Sequence, residues 1–119
     1  MGDFQKLNVW RRSKDLAVYL YTQTSQGNFS KDFSLRDQIR RAAVSISSNI
    51  AEGDELGSNK QSIRFFKIAK GSTAEVLNQA IIAHEIGYFS KDETSHVKKE
   101  CISISSMLTR LIKARREKE

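Results

Sequence analysis

The sequence predicts an all-α fold, an antiparallel up-down-up-down four-helix bundle. Three observations carry that expectation. The 119 residues include no proline and only six glycines, so long helices can run unbroken between glycine and serine turns. Apolar residues recur at spacings of three and four in four separate stretches. Each stretch is bounded by residue types that open or stop a helix.

In the first stretch, residues 8–26, Val9, Trp10, Leu16, Ala17, Leu20 and Tyr21 fall at helical spacing, with Asn8 as the N-cap and Gly27 as the stop. Val18 and Tyr19 lie off that stripe, so the helix is apolar on more than one side and is expected to meet a second packing surface. Residues 27–33, GNFSKDF, read as a polar loop that Phe29 and Phe33 both pin to the core. Ser34, followed three residues later by Asp37, is the expected opening of the second helix.

The second helix, 35–53, organises the rest. Leu35, Ile39, Ala42, Ile46 and Ile50 share one face, and Arg36, Arg40 and Arg41 lie beside or opposite it. Ser45, Ser47, Ser48 and Ala51 add little bulk, so a neighbouring backbone can come close there. The run DELGS then reads as a short acidic loop, and Ser58 with Gln61 fits a capping box.

The third helix, 59–87, is the longest, about 43 Å at 1.5 Å per residue. Its seam is Phe66, Ala69, Thr73, Val76, Ala80 and Ala83, yet Phe65, Ile68, Leu77, Ile81, Ile82 and Ile86 widen the apolar surface well beyond what one chain can cover. Gly71 costs such a helix about 1 kcal/mol against alanine. A close crossing at Gly71-Ser72, against the small residues of the second helix, would explain it. The fourth helix, 91–115, opens on Ser90 and Glu93 and carries a near-heptad seam of Val97, Cys101, Ile104, Leu108 and Leu111, broadened by Met107 and Ile112. Such a seam implies packing near +20°, and the charged tail KARREKE is expected to fray.

The length fits one domain, residues 1–119. A net charge of +6 favours nucleic acid, anionic lipid or an acidic protein as partner, and also serves solubility. A lone cysteine, Cys101, cannot form an intramolecular disulfide, and no apolar run opens the chain, so a cytoplasmic location is expected. Membrane anchoring has no support: no long apolar run is present, and Lys6 stands where myristoylation after Met1-Gly2 would need Ser or Thr.

Basic residues form the candidate nucleic-acid-binding set: Arg11 and Arg12 beside Lys14; Arg36, Arg40 and Arg41; Lys60, Arg64 and Lys67 beside Lys70; and Arg110, Lys113, Arg115 and Arg116. Positions 60, 64 and 67 align along one side of a helix and could follow a phosphate backbone. Solvated helix faces carry similar runs, so each group has a bland reading beside the sharp one. Arginine pairs tip the balance toward binding, because the guanidinium fork fits phosphate. Base stacking would need exposed aromatics near arginines. Trp10 and Tyr19 are the candidates, each more simply read as a core or interface residue.

Nothing in the chain specifies a reaction. Glu52, Glu75 and Glu85 have no second catalytic group spaced to work with them and read better as partners for Arg40, Arg41 or a neighbouring subunit's arginine. His84 and His96 lack the Glu-x-x-His pairing of a bundle metal site, and Cys101 reads as a small core hydrophobe. No enzyme activity, cofactor, metal or small-molecule substrate is expected.

Five motifs in order, FQKLNVW, QIRRAAVSISSNIAEG, RFFKIAKGS, IGYF and MLTRLI, make the chain resemble the four-helix-bundle family encoded in intervening sequences of bacterial 23S ribosomal RNA genes, also called S23 ribosomal protein-like. The resemblance implies a ring-like homopentamer. One branch of relatives, the accessory proteins of diversity-generating retroelements, binds nucleic acid and a reverse transcriptase. This chain departs from the family pattern in three places. Ser47 replaces a common proline; Asp54, Glu55 and Leu56 replace an aromatic-glycine-basic segment; and Gln61-Ser62 replaces Glu-Phe, removing an apolar anchor. Two readings follow: a basic oligomeric adaptor that binds RNA or DNA backbone without sequence preference, or a protein-interaction scaffold whose charge is incidental.

Overall fold

A side chain accepts from one of the free backbone amides at the start of three of the four helices. In the computed structural model, which describes residues 3–56 and 58–118, α1 spans Asn8–Thr24, α2 Phe33–Glu55, α3 Asn59–Glu85 and α4 Lys91–Arg116. Met1-Gly2 of the myristoylation motif, Gly57 of the acidic loop and Glu119 of the charged tail lie outside the described residues. No strand occurs among those described.

Asp32 opens α2, its Oδ1 accepting from the Leu35 amide at 3.1 Å. The expected cap, Ser34, lies inside the first turn instead. Asp32 wins because it sits three residues before a free amide and because its second oxygen accepts from the Tyr88 hydroxyl at 3.0 Å. That bond, the largest cause of the rise in the Tyr88 phenol's pKa above its ordinary value, ties the α3–α4 turn to the start of α2. Ser58 accepts from the Gln61 amide, and Ser90 with Glu93 forms both bonds of a capping box. Asn8 is no cap: α1 includes it, after a 3-10 turn at Phe4–Lys6.

The helices form a ring in which each packs on its sequence neighbours and α4 closes back onto α1, drawn out to 48 × 21 × 19 Å. Bonds along the seams set the directions. Lys70 reaches Thr109 and Arg115 reaches Ser62; Ser45 reaches Ser72 and Ser62 reaches Gly53; Arg12 reaches Glu100 and Tyr19 packs on His96. Position rises along one helix as it falls along the other, so these neighbours run antiparallel. The start of α1, the end of α2, the start of α3 and the end of α4 therefore share one end of the bundle.

Leu16, Leu20, Ile39, Ile46, Ile50, Phe66, Val76, Val97, Ile104 and Leu108 fill the interior. Phe29, in a 3-10 turn at Gly27–Lys31, is sealed at 1% exposure against Tyr88 and Phe89, whereas Phe33 is 64% exposed. One phenylalanine pins the connection, then, not two, because α2 has already begun at Phe33 and turns that side chain outward. Gly71 also faces solvent, with nothing within 4 Å of an added Cβ. The close crossing expected there lies elsewhere, at Gly53 beneath the Phe66 ring. Ser72 does meet α2, its hydroxyl 2.9 Å from that of Ser45.

Several apolar side chains stay exposed on α1 and α3: Val18, Tyr21, Ile68, Ile81 and Ile82, joined by Ile86 at the end of α3. Tyr19 and Tyr21 exchange the places the periodicity suggests. Tyr19 is half-buried with its ring 4.4 Å from His96, while Tyr21 points out. No helix is long and apolar enough to cross a membrane among the described residues.

Candidate nucleic-acid interface

The basic residues sort into those consumed inside the bundle and those left outside. Arg12 belongs to the first kind: its Nε and Nη2 donate to the two oxygens of Glu100 at 2.8 and 3.2 Å, bridging α1 to α4. The hydrogen bond holds the Glu100 carboxyl below its ordinary pKa and raises that of Arg12. Arg115 is held more deeply. It donates to Asp54 Oδ1 at 3.0 Å and to Ser62 Oγ at 3.2 Å, with its guanidinium 5.4 Å from the Phe66 ring centroid.

Asp54 is only 7% exposed, so the expected acidic loop is instead the last turn of α2, with one of its carboxylates neutralised from α4. The same pairing anchors the last turn of α4, which ends at Arg116 within the charged tail. Ser62 is likewise a polar anchor where the family pattern places an apolar one, since its hydroxyl donates to Gly53 O at 2.6 Å.

Arg11 donates to Gln5 O and, by a short bond, to Asn8 Oδ1. Arg36 pairs with Asp37 and Ser30 O. Arg40 donates to Thr24 Oγ1, Ser25 Oγ and Tyr21 O; those acceptors are uncharged, and neither Glu52 nor Glu75 pairs with it or with Arg41. Glu52, Glu75 and Glu85 are all exposed.

Lys60, Arg64, Lys67, Arg110, Lys113 and Arg116 are exposed and make no ion pair among the described residues. The register set by Lys70 and Thr109 brings the first three, at the start of α3, to the same end as the last three, at the finish of α4. Ser58, Lys60, Gln61, Ile63, Arg64, Lys67 and Ile68 line a wide open groove of about 1010 Å³ there. The free amides at the start of α3 add a positive partial charge.

Trp10 and Tyr19 take the core role that is the simpler reading of each, and the outward aromatics are others. Trp10 packs edge-on against Phe4 and Tyr19 against His96, while Tyr21 and Phe33 face outward, each over an arginine. Sequence spacing could not show this, because the pairing of Tyr21 with Arg40 crosses from α1 to α2. No group of three or more metal-ligating side chains occurs among the described residues.

The family model for 23S rRNA-intervening sequence protein matches residues 5–110. The chain belongs to that family. Among solved structures, the intervening-sequence protein fold is shared by a protein with unknown function from the S23 ribosomal protein family of Bacteroides thetaiotaomicron. That chain is 24% identical, with a TM-score of 0.80 over 88% of this chain and 98% of the other. No curated protein matches the sequence. The match takes in Arg12, Glu100 and Asp54 of this intervening-sequence protein and stops short of Arg115.

Proposed function

We propose that the protein is a non-enzymatic basic bundle that binds the RNA or DNA backbone without sequence preference and acts as an adaptor. The observation that carries this reading is the gathering of Lys60, Arg64, Lys67, Arg110, Lys113 and Arg116 at one end, exposed and without a paired carboxylate among the described residues. Phosphates release counterions when such groups neutralise them, which drives binding and makes it salt-dependent. Self-association would strengthen such binding, because each copy would add another basic end to one assembly. The exposed isoleucines of α3 and Val18 of α1 are the surface through which copies would join, as a homopentamer if the ring of the resembled relatives applies, with a reverse transcriptase as a further partner. The buried free thiol of Cys101 fits a reducing cytoplasm.

The test is fluorescence anisotropy of labelled RNA and DNA, duplex and single-stranded, across a salt series, with the mass followed by light scattering. Micromolar or tighter binding is expected. When Lys60, Arg64 and Lys67 become Gln, the log-log salt slope should shrink by about 0.9 for each duplex phosphate that is no longer neutralised. An intact protein that binds nothing at low salt would overturn the adaptor in favour of the protein-interaction scaffold, for which the same exposed isoleucines would be the docking surface.

A further inference from the structure

The second groove of interest lies at the opposite end of the bundle, between α1 and α2. Tyr21, Asp37, Arg40, Arg41 and Val44 line it, and its volume is about 380 Å³. We propose that this groove binds single-stranded nucleic acid, with an unpaired base stacked on Tyr21 and the adjoining phosphate met by Arg40 and Arg41. The inference rests on the nucleic-acid reading for the class of ligand, but it uses different side chains and a different mode of contact.

Five features converge on it. Tyr21 is 45% exposed, an outlay of aromatic surface that the core does not use. Arg40 lies over its ring, 4.6 Å from the centroid, so one face is covered by a cation and a base can take the other. That guanidinium is fixed in place by Thr24 Oγ1 at 2.8 Å and Ser25 Oγ at 2.9 Å, both neutral, and its charge therefore remains available to an anion. Arg41 is exposed beside it and makes no ion pair among the described residues. Asp37, the one carboxylate in the groove, is occupied by Arg36 at 3.0 Å.

The arrangement repeats one turn earlier on α2. Arg36 lies 4.7 Å from the ring centroid of Phe33, and it precedes Arg40 by four residues, about 6 Å along the helix axis. A second outward aromatic ring, Phe33, thus also carries an attendant guanidinium near the start of α2. A duplex hides its base faces in its own stack, so only an unpaired strand can use such platforms. An uncharged apolar partner would leave Arg40 and Arg41 desolvated and unpaired, which argues for an anionic occupant.

The experiment compares two labelled 20-mers of equal phosphate count, oligodeoxythymidine and its abasic analogue, on wild type, Tyr21→Ala, Tyr21→Phe, Arg41→Gln and the Lys60, Arg64, Lys67→Gln triple variant. Wild type should hold the thymidine strand roughly tenfold tighter than the abasic one. Tyr21→Ala should cut that preference severalfold without changing the salt slope, Tyr21→Phe should keep it, and Arg41→Gln should weaken both strands. The triple variant should lose duplex affinity yet keep the preference, which separates this site from the basic end. Equal affinity for the two strands, an unchanged preference in Tyr21→Ala, or dissociation of an oligomer by Tyr21→Ala would each overturn the proposal, the last by showing that a second copy covers the ring.

Discussion

A methyl group placed on Gly53 would lie 2.6 Å from Cε1 of Phe66 and 2.9 Å from Cδ1. α2 and α3 therefore approach each other through a glycine and an aromatic face. Phe66 is fully buried and also meets Arg115, so the ring has nowhere to retreat. Gly71, by contrast, has open space around it and ordinary helical backbone.

The two glycines should respond oppositely to alanine. Gly71→Ala is expected to stabilise by about 0.5–1 kcal/mol, the helix-propensity gain with nothing to offset it. Gly53→Ala gains the same propensity and should still destabilise by about 1–3 kcal/mol, because the core must shift to admit the methyl. Thermal or urea unfolding of the two variants decides it, and stabilisation by both would show that Phe66 can move.

Arg115 and Asp54 form the deepest ion pair described. Arg115→Ala should cost about 3–5 kcal/mol, since it strands a nearly buried carboxylate. A double variant, Asp54→Asn with Arg115→Met, should recover much of that loss. A urea-denaturation double-mutant cycle measures the coupling; additive losses would mean that the pair contributes nothing jointly.

For Arg12 and Glu100 the sign of the pH dependence follows from the carboxyl. Its folded pKa is lowered from 4.5, first by the hydrogen bond from Arg12, so the stabilisation is full above that value and is lost as pH falls through the lowered one. Both groups are partly exposed, which limits the contribution to about 1 kcal/mol. Arg12→Gln should therefore be less stable than wild type at neutral pH, and the gap should close on acidification below 4.5. A gap that stays constant to lower pH would assign the role of Arg12 to packing.

Cys101 should be inert while the bundle is folded. Burial pushes its thiol up to about 12, and the thiolate is the reactive form. Labelling by an aromatic disulfide reagent at about pH 8 is expected to be slow in buffer and fast in denaturant. Rapid labelling of the native protein would reveal local opening of α4.

Helix existence and order are legible because the apolar period is local, and the capping box at Ser90 because both of its bonds lie within four residues. The cap of the second helix lies two residues from its expected place because Asp32 draws on Tyr88, a partner 56 positions away. Distance along the chain also explains the basic residues. Spacing groups Arg11 with Arg12 and Arg115 with Arg116, but only tertiary structure reveals that Glu100 takes Arg12 and that Asp54 takes Arg115. The exposure of Tyr21 is hidden for the same reason, since its place on the wheel suggests burial, while its contact with Arg40 lies across the α1–α2 seam.

The hydroxyls of Ser45 and Ser72 meet between α2 and α3, with Asn49 Nδ2 donating to Ser45 Oγ at 3.0 Å and to Ser45 O at 2.8 Å. Small residues flank this meeting point, and a seam of small residues alone would let two helices slide past one another by a turn at little cost. A slip of that kind would leave the Ser72 hydroxyl facing apolar neighbours without a partner, a penalty of about 1–3 kcal/mol. The serine pair thus acts as a key that only one alignment of the two helices can turn.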